Sequence, residues 1–220
     1  MLKVSGLHKS FLDGEEEVKV LVDVSFSLPK GESLAITGPS GSGKSTLLNL
    51  LAGVISPDGG SIELQLGADT VALQNLTARA ATALRRKHIG YVHQFFNLIP
   101  TLTVLENLLL PARLNKVVDA NDKAHDLLRR IDLEQKPGAF PEMLSGGQQQ
   151  RVAVARALIC QPEVILADEP TGNLDQENAQ RVSDLLFSAC LAQNTSLVVA
   201  THSAAIAEVA DQQLSLVLVQ

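Results

Sequence analysis

Gly38-Pro-Ser-Gly-Ser-Gly-Lys-Ser-Thr46 lies between a short apolar run, Ser33-Leu-Ala-Ile-Thr37, and a leucine-rich one in which Leu47, Leu48, Leu50 and Leu51 recur at helical spacing. Strand, glycine loop and helix form the context in which G-x-x-x-x-G-K-[ST] becomes a phosphate site. Glycines let the backbone curl until successive N–H groups converge on one anion, and the helix N-terminus adds positive dipole. Lys44 can then reach the β- and γ-phosphates, and the Ser45 hydroxyl can ligate Mg²⁺. Chance alone gives this pattern in roughly one chain of this length per hundred at average glycine usage. The nine residues therefore predict a nucleoside triphosphate site.

Working outward, 220 residues suffice for one large domain or a core with a subdomain. A formal charge of −6 argues against a dedicated nucleic-acid binder. Cys160 and Cys190 stand alone, without metal-ligand or disulfide spacing, and read as small apolar residues. The N-terminus lacks the apolar core of a signal peptide, and no window reaches the ~18 apolar residues a membrane span needs. The expectation is a soluble chain whose membrane role, if any, comes through a partner.

Towards the N-terminus, residues 2 to 28 read as strands, with Val22, Val24, Phe26 and Leu28 alternating with polar neighbours. Asp13-Gly14 before three glutamates predicts a hairpin tip, and Pro29-Lys-Gly31 a turn into the strand at Ser33. Beyond the loop, Ser56-Pro-Asp-Gly-Gly60 reads as a turn, Ile62-Glu-Leu-Gln-Leu66 as a strand, and residues 77 to 88 as a helix ending in cations. Ile89-Gly-Tyr-Val-His93 is a short strand that delivers Gln94. Phe95-Phe-Asn-Leu-Ile-Pro-Thr-Leu102 has neither strand nor helix period and predicts a contact surface. Thr103-Val-Leu-Glu106 is a capping box, and Asn121 to Ile131 a further helix. A middle third of helices between flanks of alternating strand and helix predicts a helical insertion in an α/β core.

Ser145-Gly-Gly147 precedes a helix-period run from Gln148 to Cys160 and makes a second glycine loop at a helix N-terminus. Read alone, that loop is an N-cap with flexible glycines. Val164-Ile-Leu-Ala167 is a buried strand ending in Asp168-Glu169, where an Asp can hold the Mg²⁺ shell and a Glu can aim at a water. A helix from Gln176 to Gln193 leads to the strand Ser196-Leu-Val-Val-Ala200, with His202 just past its end. Leu214 to Val219 predicts a last strand.

These residues together resemble the nucleotide-binding subunits of ABC transporters over essentially the whole chain. The most specific mark is Leu144-Ser-Gly-Gly-Gln148, the signature loop, placed between the phosphate loop and Val164-Ile-Leu-Ala-Asp-Glu169. Residues 94–107 and Asp168-Glu-Pro-Thr-Gly-Asn-Leu-Asp175 look like the subgroup of macrolide exporters, lipoprotein-release complexes and related cell-division ATPases. The resemblance implies a P-loop (RecA-like) α/β core, an N-terminal antiparallel β subdomain and an inserted helical subdomain. Residues 1–93 and 158–220 would form the core with the β subdomain, and residues 94–157 the helical one.

It also implies a homodimer closed head-to-tail on two Mg·ATP. Gly38, Pro39, Ser40, Gly41, Ser42, Gly43, Lys44, Ser45 and Thr46 would cradle the phosphates. Ser145, Gly146, Gly147 and Gln148 of the other subunit would cover them. Phe11, where the family usually has Tyr, would stack on adenine, and Asp175 would cross the interface. Ser45, Gln94 and Asp168 would arrange Mg²⁺, Glu169 would be general base, and His202 would contact the γ-phosphate. An integral membrane permease would dock on the apolar loop near Phe95 to Leu102, with Phe96→Asp expected to abolish recruitment and spare ATP binding. The subunit would then be peripheral on the cytoplasmic face of a bacterial inner membrane, driving export or extraction of an amphiphile, lipoprotein or peptide. The alternatives are a cell-division ATPase that transmits force without transport, and a soluble ABC ATPase of DNA repair or translation. The latter carry coiled-coil insertions or tandem units that this sequence lacks.

Overall fold

The computed structural model describes residues 1–14 and 16–218. It contains two sheets. The first is antiparallel, built from β1 (Leu2–Asp13), β2 (Glu16–Leu28), β4 (Gly59–Leu66) and β5 (Asp69–Ala72), in the order β2-β1-β4-β5. The second consists of β3 (Ser33–Thr37), β6 (Ile89–Val92), β7 (Val164–Asp168), β8 (Ser196–Ala200) and β9 (Gln212–Ser215), in the order β6-β7-β8-β3-β9. Every pairing in this second sheet is parallel.

Continuous apolar strands suit a sheet covered on both faces, and burial in β3, β7 and β8 bears this out. Leu34 and Ile36 pack with Leu47 and Leu51 of α1 (Lys44–Leu51) and with Leu2, Val4 and Ile62 of the antiparallel sheet. Ala35, Ile165, Leu197 and Val199 point the other way. There they meet α5 (Gly146–Leu158) and α6 (Gln176–Gln193), and through α5 the helices α3 (Val104–Leu114) and α4 (Ala120–Arg130). The helix α2 (Ala78–His88) begins at its Thr77 cap and leads directly into β6. Between β6 and β7 the ordered elements are helical, as the middle third of the sequence indicates.

Two strand expectations are corrected. The alternation Val22, Val24, Phe26, Leu28 does not run through β2, because Asp23 takes a left-handed φ of 52°. Leu7 lies opposite Val24 but Lys9 opposite Leu21, so β2 spends an extra residue there. That bulge turns Leu21 inward and leaves Val22 46% exposed. The last strand starts at Gln212 rather than Leu214 and stops at Ser215. Its partner β3 ends at Thr37, where the phosphate loop begins, so pairing stops with the Leu216 N–H donating to Thr37 O at 2.8 Å. Val219 lies outside the described residues.

Candidate functional site

In an open parallel sheet the ligand edge is the one at the carboxyl ends of the strands. Each sequence-predicted phosphate, metal or catalytic residue of the core lies just beyond such an end. β3 runs into Gly38, β6 into His93 and Gln94, β7 ends at Asp168 followed by Glu169, and β8 leads to His202. Four separate segments converge because the sheet places their ends side by side.

The loop from Gly38 to Thr46 can fold only with glycine at its tight positions. Gly43 caps α1 at φ 91°, and a β-carbon there would lie 2.8 Å from Leu21 Cδ2 and 2.9 Å from Val20 Cγ1. Gly38, at φ 145°, faces the carbonyl of Leu216 where a side chain would collide. Lys44 is only 7% exposed, rare for a lysine, and its ammonium is satisfied locally. It donates to Gly38 O at 2.9 Å and Pro39 O at 3.1 Å, and lies 3.1 Å from His202 Nε2. Ser45 Oγ donates to Asp168 Oδ1 at 3.1 Å, which brings two hard oxygen donors of the predicted metal set together.

Glu169 stands at the tip of β7 with a left-handed φ of 46°. A non-glycine residue held there stores about 1–3 kcal/mol and persists only where its surroundings impose it. Here the Glu169 N–H donates to Ala200 O at 3.0 Å, and the Gly172 N–H returns to Glu169 O at 3.1 Å. Oε2 of the carboxylate accepts from the His202 N–H at 3.3 Å. Oε1 is shielded and has no hydrogen bond, although His202 Nε2 is 3.2 Å away. An Nε2 that accepts from the Lys44 ammonium cannot also donate to Glu169, so Oε1 is left free.

A cleft of about 410 Å³ gathers Phe11, Val20, Ser40, Gly41, Gly43, Lys44, Ser45, Thr46, Glu169 and His202. Phe11 is partly exposed at its rim, with Lys9 Nζ 5.3 Å from the ring centroid. Val20 was not singled out as a site residue, although the hairpin makes it one. Phe11 pairs with Val18, and a register shift between Ser10–Lys19 and Lys9–Leu21 leaves Val20 as the extra residue of β2 beside the cleft. Ser42 is buried in the loop, its hydroxyl without a hydrogen-bond partner.

Other predicted residues stay apart from this cleft. The Gln94 amide is turned toward Gly172, its Nε2 3.4 Å from where a β-carbon of that glycine would stand, while Asn173 Nδ2 donates to Gln94 O at 3.3 Å. Ser145 caps α5 in a full capping box with Gln148. The first-turn N–H groups of Gly146 and Gly147 therefore remain as outward donors at a positive helix end. None of these signature residues lines the cleft. Gly147 sits against Asn178, whose Cβ would be 2.9 Å from a β-carbon on the glycine. Asp175 caps α6, and hydrogen bonds from the Asn178 N–H and then its side chain hold its carboxyl below the ordinary aspartate range. In the next loop Phe95 is 70% exposed, whereas Phe96 is turned toward Gly146 and Leu174. Of the two adjacent rings in the expected docking loop, Phe95 is the more exposed and Phe96 is half-buried.

Residues 21–172 match the family described as ABC transporter. The chain is 45% identical over 212 residues to the lipoprotein-releasing system ATP-binding protein LolD of Legionella pneumophila (strain Paris), covering 96% of this chain and 92% of that one. It is 44% identical over 219 residues to the ABC transporter ATP-binding protein YbbA of Escherichia coli (strain K12), covering 99% and 94%. The fold matches a dimeric post-hydrolysis structure of the ATP-binding cassette MJ0796 bound to ADP and Pi. That match has a TM-score of 0.88 and 35% identity, and covers 100% of this chain and 97% of the other.

Proposed function

This chain belongs to the ABC transporter family of ATP-binding subunits, and on that premise we propose that two copies clasp two ATP between them to drive a lipoprotein-releasing membrane permease. It is an ATPase whose hydrolysis is coupled to transport. The observation that carries the proposal is the separation of its two anion-binding loops. The phosphate loop lines the cleft and the signature loop does not, so a second copy would be needed to bring both to one triphosphate. A dimeric cassette of the same fold supports the arrangement.

In the proposed mechanism Lys44 leaves the carbonyls of Gly38 and Pro39 for the β- and γ-phosphate oxygens, and Phe11 with Val20 holds the base. Ser45 and Asp168, with Gln94 swung from Gly172, would hold Mg²⁺; once bound, it neutralises phosphate charge and aligns the leaving group. Glu169 is pinned through Oε2 and leaves Oε1 to take a proton from the attacking water. His202, next to Lys44, contacts the γ-phosphate. Asp175 and the signature residues Ser145, Gly146, Gly147 and Gln148 act across the dimer. Loss of the γ-phosphate removes the anion between the two loops and loosens the pair. The residues of 94–157 would move as the helical arm carrying the signature loop.

No helix among the described residues is long and apolar enough to cross a membrane. By analogy with the transporter subunits it resembles, the proposed place of this subunit is the cytoplasmic face of the inner membrane, reached through its permease, with Phe95 and Ile99 as the exposed apolar contacts. The LolD relatives are named for lipoprotein release, and the same cargo is proposed here. The test is co-purification of the membrane partner with Phe95→Asp. Burying a carboxylate against an apolar surface costs several kcal/mol, enough to lose roughly 10²-fold or more in affinity. The partner should be lost while ATP binding stays as in the parent chain. Full retention of the partner would remove this loop from the docking surface.

A further inference from the structure

The helix that begins at the signature loop also grips the segment around Gln94 at both ends. On one side Gln150, fully buried, donates through Nε2 to His93 O at 3.2 Å. On the other, the Arg156 guanidinium donates to Asn97 O at 2.6 Å and Phe96 O at 3.1 Å. Those two carbonyls belong to consecutive left-handed residues, with φ of 51° at Phe96 and 48° at Asn97. Asn tolerates that region but Phe does not, so the conformation at Phe96 holds only under outside constraint. Arg156 forms no ion pair among the described residues and spends its half-buried charge on main-chain carbonyls.

That strained pair fixes where the Phe96 ring goes. Its Cζ is 3.5 Å from the point at which Gly146 would carry a β-carbon, and Leu174 Cδ2 is 3.7 Å from the same point. The ring therefore lies against the open side of Gly146 in the signature loop, beside the segment that follows β7, while Asn173 of that segment holds Gln94 O.

We propose that Arg156 is a positioning residue: it locks Phe96 and Asn97 so that the Phe96 ring sets the signature loop in the place from which it covers the partner copy's ATP. The inference rests on the two-copy reading above for its consequence, though not for its local geometry. With the lock in place, a displacement of the exposed residue Phe95 by a docked partner is carried to both Gln94 and Gly146. Without it, the left-handed pair relaxes and the ring no longer braces the loop.

Two measurements on the full chain decide the matter. The first is hydrogen exchange of the nucleotide-free protein. Arg156→Met should accelerate exchange roughly tenfold or more at Asn97, whose N–H donates to Phe95 O, in line with the loss of two charge-assisted hydrogen bonds, and measurably at Gln148 and Gln149, whose N–H groups donate to Ser145. Residues 164–168 should be unchanged. The second is Mg·ATP-driven association measured in the Glu169→Gln background. There Arg156→Met should weaken dimerisation roughly tenfold while the monomer's affinity for ATP stays within about twofold, and Arg156→Lys should restore part of the loss. A purely structural arginine would lower ATP affinity and association together. Phe96→Ala keeps the guanidinium and removes the brace, and should give the same split even where Arg156→Met folds poorly.

Unchanged exchange at Gln148 and Gln149 in either variant, or association and ATP affinity falling by one common factor, would overturn the proposal. If Glu169→Gln alone did not associate, the two-copy reading would fail while the exchange result still decided the role of Arg156.

Discussion

Replacing Glu169 by Gln lowers ATP turnover by roughly 10²–10⁴-fold, the range expected for loss of a general base, and leaves nucleotide binding in place. The substitution keeps size and shape, so the hydrogen bond from the His202 N–H to Oε2 survives when the amide oxygen takes that place. What disappears is a carboxylate oxygen with no hydrogen bond, shielded beside the phosphate loop. An amide cannot accept the water's proton, so the triphosphate persists once bound. The left-handed backbone at Glu169 is held by Ala200 O and by Gly172 N–H, main-chain contacts that the substitution does not touch. Phosphate release under saturating Mg·ATP measures the effect, with equilibrium binding of ATP as the control. Turnover near that of the parent chain would take Glu169 out of the mechanism.

Lys44→Ala has a different signature, because binding fails together with chemistry. In the unliganded chain the ammonium is the donor for Gly38 O and Pro39 O and the neighbour of His202 Nε2. Removing it deletes the cation facing the β- and γ-phosphates and leaves two loop carbonyls without their donor. The loss of one preorganised charge from such a site is worth roughly 10²–10³-fold in turnover. ATP affinity drops as well, since the same contact serves the ground state. Titration calorimetry with ATP and phosphate release report the two losses. Circular dichroism should show the fold retained, because α1 is held by Leu47, Leu48, Leu50 and Leu51 in the core. Undiminished ATP affinity in this variant would mean that the phosphate loop binds without its lysine.

Most of the site was legible because its residues are local signals at strand ends. A glycine loop at a helix start, two carboxylates after an apolar strand and a histidine after another each declare themselves without knowledge of the fold. The sequence could not show orientation. Phe95 and Phe96 are adjacent and chemically identical, yet one faces solvent and the other packs on Gly146, because consecutive left-handed residues held by Arg156 reverse the chain there. Val22 looked inward by alternation until the bulge at Asp23 shifted the phase. β5, four residues long, carries no period of its own, although Gly67 between Leu66 and its partner Asp69 marks the two-residue turn. The short helix Ala204–Val209 has too few residues to show a period. The sequence marks Asp175 only for a role across the dimer, whereas the hydrogen bonds to Asn178 make it the cap of α6.

The most direct test of two copies closing on ATP is the mass of the Glu169→Gln protein in solution, with and without saturating Mg·ATP, by sedimentation velocity. A chain of 23.4 kDa should shift to twice that mass with nucleotide and return when the nucleotide is removed. A species that stays at the monomer mass at every nucleotide and protein concentration, and also alongside its membrane partner, would contradict the account.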